Sequence, residues 1–419
     1  MNCASSRTAI RAVDSLASAC VAWGVPLLVL KQTGSASNAG LSFALEWTPR
    51  LMSLGLAAPW VDRLGARAAL LAGSLARTLA VVATMAAVAA GANWLLLTAM
   101  AAVGGVLAQV TQMATTSLGA DQARASHQDA ARRIQLRQAA VDQGVILVGP
   151  LLAGVLVLGG AQSLLAGAMT LSALTTAAVA QLPKQAVTAA TGQRSRPGLR
   201  AGAAVMRRYP ALMWATLAGF GANALASVVE SGTPVLVTQV YHHPAAASGA
   251  VWCAAAAVSA ASLAVIGRIA RRYGTWTMAA ISAVVTSAAA VAAGLAPGYA
   301  LYVVSVAAMS AAEQGVIVLV GTARNRLIPA ESYASTVSLG SLAMLTPFPA
   351  AGLLIAAVGR TYLPDLLLGC GALTAVTAAV SLLGLRQFRA ELDTPPKADN
   401  SGIPAVAATS APAPVPALT

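Results

Sequence analysis

The 419-residue chain is 58% hydrophobic and only 9% charged, with a mean hydropathy of +0.73, whereas soluble domains carry roughly 25% charged residues. That excludes an ordinary soluble domain and makes a lipid bilayer the solvent of most of the chain. A net charge of +13 would suggest nucleic acid in a soluble chain, but here the basic residues lie between apolar spans and follow topology, so no nucleic-acid partner is expected.

A spanning helix needs about 20 mostly apolar residues. In chain order such spans fall at 8–30, 38–61, 68–90, 93–117, 134–158, 161–182, 208–238, 246–267, 275–295, 298–321, 334–358 and 362–385. The first follows Arg7 and Arg11 as a signal peptide would, but it is too long, contains Asp14 and leads into eleven more spans, so it reads as a retained helix. The seventh is too long for one straight span and contains Gly232 and Pro234, where a break is expected.

The loops alternate in basic content. Arg7 and Arg11, Arg63 and Arg67, Arg124 to Arg137, Lys184 to Arg208, Arg268 to Arg272, Arg324 and Arg326, and Arg386 to Lys397 share one side, while the other has only Lys31 and Arg360. The positive-inside rule then places both termini in the cytoplasm of a multi-pass protein of the inner (plasma) membrane. The expected organisation is an N-terminal six-helix bundle (1–182), a cytoplasmic loop (183–206), a C-terminal six-helix bundle (207–389) and a disordered Pro/Ala-rich tail (390–419).

Catalytic machinery is absent from this reading. The four cysteines show neither CxxC spacing nor a disulfide framework. His242 and His243 sit at the outer end of span seven, where solvation or a metal or proton role are the alternatives, and no phosphate-cradling GxxxxGK[ST] run marks an ATP-driven pump. No enzyme activity, cofactor or resident metal is expected.

Two stretches 209 residues apart overlay. Ala58-Pro-Trp-Val-Asp62-Arg63-Leu-Gly65-Ala-Arg67 follows span two, and Gly267-Arg-Ile-Ala-Arg271-Arg272-Tyr-Gly274 follows span eight. Each places a glycine in a tight turn, where positive φ is available to it. A weaker echo sets Ala108-Gln109 of span four against Glu313-Gln314 of span ten. Duplicated six-helix halves are a transporter design, with the site at their midplane interface.

At these residues the chain resembles the major facilitator superfamily. Asp62, Arg63, Gly65 and Arg67 carry its loop signature GxxxDRxGRR, with Ala58 in place of the first glycine and Ala66 in place of an arginine. The resemblance implies an all-α membrane fold of twelve transmembrane helices in two pseudo-symmetric bundles, working as a monomer by alternating access. It further implies that this loop, with its degenerate copy at Arg271 and Arg272, latches one conformation. In span five, Gly144, Gly149, Pro150 and Gly154 are similar to the family's antiporter motif, a mark of exporters, although small residues at this spacing also serve plain helix packing. Val141-Asp142-Gln143 followed by Pro150 also resembles ferroportin, which would make the chain a metal exporter.

Ionisable groups at the bilayer centre cost about 2.5 to 3.5 kcal/mol each and normally face a partner or a cavity. Those here are Asp14, Glu46, Arg50, Arg77, Asp142 and Glu313, with Glu230 toward the outer part of span seven. Glu46 and Arg50, four apart, share a helix face at about 40° and are expected to pair. Pro49 between them frees the Leu45 carbonyl, a defect tolerable only against protein or water, so span two is expected to line the central cavity. The pair either compensates itself, or Arg50 offers a positive charge to an anionic substrate while Glu46 switches with a proton.

Four deep carboxyls face two deep arginines, leaving two acids without a cation, a property a proton carrier needs. Asp142, with Gln138 one turn away, is the first choice as carrier and Asp14 and Glu313 follow; the alternatives are ties of Asp142 to Arg137 and of Asp14 to Arg11, and a packing role of Glu313 against Arg77 or Gln314. Glu46, Arg50, Gln138 and Glu230 are the substrate-cavity candidates, and Arg77 is expected to buttress span two. The expected function is a secondary transporter exporting a small organic molecule, drug-like or a metal chelator such as a siderophore, against proton entry. Uptake by symport and a non-transporting receptor or scaffold are the alternatives.

Overall fold

The computed structural model describes residues 3–91, 93–124, 141, 144–145, 148–182, 199–328 and 333–393. Among them every regular element is helical. Among the described residues nine helices are long and apolar enough to cross a membrane, and one of these, Ala245–Gly294, contains spans eight and nine joined at Gly274. Span two (Ala36–Leu64) and span five (described from Val148 to Leu158) complete the twelve. Asp142 and Gln138, and the tail beyond 393, lie outside the described residues.

Spans one (Cys3–Thr33), three (Ala66–Ala89), four (Trp94–Arg124) and six (Ala161–Ala180) pack with span two in the first bundle. Span seven (Pro210–Val235), spans eight and nine, span ten (Tyr299–Leu327), span eleven and span twelve (Leu363–Leu385) form the second. Alanine and glycine allow close approach, which drives association between helices where lipid is as apolar as the side chains.

The two repeated loops adopt one conformation. Gly65 (φ 81°, ψ 143°) separates spans two and three, and Gly274 (φ 86°, ψ 161°) separates spans eight and nine. A side chain is strained there, so glycine is required where the chain reverses.

Three expectations about continuity are corrected. Span seven does not break at Pro234: the α-helix runs through it to Val235 and widens into a π turn, Leu236–Val240. Proline removes one N–H donor, and a change of helical register absorbs the loss without a break. Span eleven, expected whole, divides into Tyr333–Leu345 and Pro347–Val358, with Pro347 opening the second piece. Part of the expected central loop is a short helix, Leu199–Arg208, whose Gly202 packs against the backbone of Ser335 and Thr336.

The bundles meet tightly at the end that is poor in arginine. A Cβ on Gly40 of span two would lie 2.6 Å from the Gly352 carbonyl oxygen of span eleven. One on Gly249 of span eight would lie 2.8 Å from Leu151 Cα of span five. Trp23 and Trp252 meet across the same seam with ring centroids 4.6 Å apart, and Gln239 Nε2 donates to the Gly34 carbonyl at 2.9 Å. Leu30, Ala36 and Ala39 of the first bundle share one buried apolar cluster with Val228, Trp252 and Ile355 of the second.

Candidate functional site

Asp14 and Arg77 form a buried ion pair, each 2% exposed. The Arg77 guanidinium also donates to Ser18 Oγ (2.7 Å) and Ser172 Oγ (3.2 Å), so it ties span three to spans one and six. This corrects two expectations. Asp14 is not an acid without a cation, and Arg77 buttresses spans one and six rather than pairing with Glu313 or bracing span two. A fork of donors in one plane suits such multiple contacts, and satisfying every arm offsets the cost of burying the charge.

Glu46 differs. It is 2% exposed, and its Oε2 has no hydrogen-bond partner. The expected ion pair with Arg50 is not made; the Arg50 guanidinium lies over the Trp47 ring instead, 4.6 Å from its centroid. Trp47 in turn stacks on Phe348 of span eleven at 4.2 Å, so this arginine is drawn toward the seam between the bundles. Span two stays helical through Pro49. Thr48 and Ser53 hydroxyls donate to the Ala44 and Arg50 carbonyls on either side (each 2.7 Å).

The faces of span two therefore divide. Glu46 and Arg50 line a cavity inside the first bundle together with Ser18, Arg77, Thr84 and Gly104. The aromatic face meets span eleven across the seam. Span two was expected to line the central cavity with its charged face; its charges border this hollow, which spans one, two, three, four and six line.

On the other side of the seam, Glu230 of span seven is acted on electrostatically by Arg50, Glu46 and Glu313. Carboxyls of spans two and ten and the Arg50 guanidinium thus all act on Glu230, although Glu46 and Glu230 are 184 residues apart. The Gln314 amide, beside Glu313, donates to the Ser310 carbonyl at 3.4 Å.

The remaining predicted residues distribute as follows. Arg67 donates to the Leu182 (3.0 Å) and Ala180 (3.1 Å) carbonyls and so caps the end of span six. The side chains of Asp62 and Arg63 lie outside the described part. Arg271 and Arg272 are exposed, the latter over Tyr273 at 5.3 Å. In span five a Cβ on Gly149 would lie 2.6 Å from Ala19 Cβ, and one on Gly154 would lie 3.3 Å from Ala246 Cα. Pro150 offers its carbonyl oxygen to the same tight contact at Gly249, while a Cβ on Gly144 meets nothing within 4 Å. The His243 ring packs on Tyr299 at 4.4 Å. Among the described residues no group of three His, Cys, Asp or Glu is placed to hold a metal ion.

Sequence reasoning missed Ser18 and Ser172 as partners of Arg77, and Trp47 and Phe348 as the seam's aromatic contact. Trp47, beside Glu46 and three residues before Arg50, was the available signal, since a Trp ring at that spacing can receive a guanidinium.

Comparisons with known proteins agree with this architecture. The chain resembles the nucleoside transporter NupG (D323A mutant), with a TM-score of 0.68 and 14% identity over 90% of this chain and 99% of that one. It resembles a bacterial homologue of the iron transporter ferroportin in an inward-facing state (0.68, 15%, over 92% and 98%) and the human organic anion transporter MFSD10 (TETRAN) (0.63, 17%, over 92% and 100%). At these identities the likeness is one of fold. No curated protein matches it in sequence. The family model of the Major Facilitator Superfamily matches residues 9–346, and the chain belongs to that superfamily of transporters.

Proposed function

We propose that this transporter exports a small organic molecule bearing a positive charge, a cation or a zwitterion, in exchange for protons. The observation that carries the reading is that Glu46, Glu313 and Arg50 all act electrostatically on Glu230, three acids with one guanidinium among them. One guanidinium neutralises one carboxylate, and uncompensated charge is expensive in a low-dielectric surrounding. The remaining acids must therefore hold protons or a cationic ligand, and a site that accepts either in turn exchanges one for the other. With both termini in the cytoplasm, the sealed end faces outward, and rocking about the seam alternates access. Asp142, with Gln138 beside it, would supply a further carboxyl from span five, and the loop at Asp62 would latch one state.

The test uses everted membrane vesicles with an imposed pH gradient, read by a quenched pH-gradient dye. A panel of amines, zwitterions and carboxylates is added in turn. Amine-bearing members should collapse the gradient only when the transporter is present. Collapse by carboxylates alone would reverse the assigned charge, and a gradient untouched by every member would argue against proton exchange.

A further inference from the structure

The short helix Leu199–Arg208 lies at the arginine-rich end of the second bundle. Its Gly202 rests on the first turn of the helix Tyr333–Leu345, where a Cβ would come within 2.7 Å of the Ser335 carbonyl oxygen and 3.1 Å of Thr336 Cα. Beyond its last residue, Tyr209 (φ −117°, ψ 82°) breaks the helix and Pro210 opens span seven. The helix thus joins the first turns of two spans at one end of the bundle, so it runs across the rim instead of prolonging a span. Val205 and Tyr209 pack against the buried cluster that holds Leu212, Ile328 and Leu392.

The opposite face carries charge. At 100° per residue, Arg207 stands about 20° from Arg200 on one side, and Ala204 and Arg208 stand about 40° and 80° from it on the other, so the four share one sector about 100° wide. All four are exposed. Among the described residues none of the three guanidiniums donates a hydrogen bond or meets an acid; Arg208 has the Tyr209 ring, 6.0 Å away. The stretch Arg194 to Arg208 holds five arginines and no Asp or Glu, so nothing nearby in sequence neutralises them.

We propose that this arginine face binds the phosphate of an anionic phospholipid in the cytoplasmic leaflet. The basic end of the bundle is the cytoplasmic one by the positive-inside rule, and that leaflet carries a negative surface potential. Helices with an arginine-bearing polar face lie along such an interface. Three features favour a lipid over other anions. The arginines stand at the rim, level with the first turns of two spans and hence with the headgroups. Arg200 and Arg207 are about 10 Å apart along the axis, an open row with no enclosure for a free phosphate. Only Ala204 lies between them, so the row holds no ring on which a nucleobase could stack.

A lipid held there acts on span eleven. Gly202 rests backbone on backbone against its first piece, while its second piece, beyond Pro347, bears on span two through Gly352 and Gly40. The headgroup pins one piece to the leaflet and leaves the other to move at the seam. This site does not depend on the exchange of protons put forward above.

The test uses purified full-length protein in detergent, titrated with phosphatidylglycerol or with phosphatidylcholine of the same acyl chains, the bound lipids being counted by native mass spectrometry. The first phosphatidylglycerol should bind about a hundredfold more tightly than the first phosphatidylcholine, since each basic residue at an anionic surface contributes about fivefold. The triple variant Arg200→Gln, Arg207→Gln, Arg208→Gln should lose that preference and keep its binding of phosphatidylcholine. Arg268→Gln with Arg386→Gln, exposed at the same end on other elements, should leave the preference intact. Ala204→Glu sets an acid within the row at an exposed position and should reduce the preference about tenfold or more. This variant decides if the triple variant fails to fold, judged by size exclusion and circular dichroism. A preference that survives the triple variant or Ala204→Glu, or that falls as far in the Arg268 and Arg386 control, overturns the proposal. Displacement of the bound phosphatidylglycerol by equimolar inorganic phosphate or by a short RNA overturns it as well.

Discussion

Asp14 and Glu46 lie in the same bundle, on neighbouring helices, and are equally buried at 2% exposure. Yet Asp14 is clasped by Arg77, while Glu46 has an oxygen with no partner. The difference separates two uses of charge in a membrane. A satisfied pair fixes three helices against one another and has nothing left to exchange. An acid whose nearest cation is occupied with an aromatic ring keeps its capacity to bind something that comes and goes.

Breaking the satisfied pair should give the largest effect. Arg77→Ala leaves Asp14 buried without its cation and should cost about 3 to 5 kcal/mol, seen as a large fall in the thermal unfolding midpoint in detergent. The joint change Asp14→Asn with Arg77→Met should recover most of it. Loss of stability no greater than that of an exposed arginine would sink the distinction.

Next comes the seam between the bundles. Gly352→Val sets a side chain where even a Cβ would lie 2.6 Å from Ala44 N and Gly40 O. Overpacking of about 1 to 3 kcal/mol should open the sealed end, raising thiol labelling of a Ser35→Cys reporter by about tenfold or more. Trp47→Ala removes the stack on Phe348 and should raise the same labelling less, since an aromatic contact contributes about 0.5 to 1.5 kcal/mol.

The smallest effect sharpens the contrast most. Glu46→Gln should leave thermal stability unchanged or raise it by about 1 kcal/mol, since it lowers the charge of a group that has no partner to lose. The chemically equivalent Asp14→Asn should destabilise clearly. Equal losses at the two positions would mean that Glu46 is as structural as Asp14.

Much of this was legible in the chain because membrane physics writes coarse signals. Apolar length gave the spans, and Gly65 and Gly274, half a chain apart, gave the repeated turn. Rarity of charge within spans gave Glu46, Glu230 and Glu313 as residues of interest. Partner choice was not legible, for a physical reason. Spacing along one helix brought Glu46 and Arg50 onto one face, but Trp47 on the same helix competes for the guanidinium. Phe348, some 300 residues away in sequence, sets that ring in place. Asp14 and Arg77 are 63 residues apart, a distance about which helical periodicity says nothing. The short helix at Leu199–Arg208 escaped detection because ten residues are too few to mark a span.

The meeting of Gly40 with Gly352 bears on motion as well as on closure. Side chains interlock like teeth, and helices that mesh through them must lift apart before they turn. Where backbone rests on backbone there is nothing to disengage, so spans two and eleven can roll on each other as a fulcrum while the far ends of the bundles swing widely.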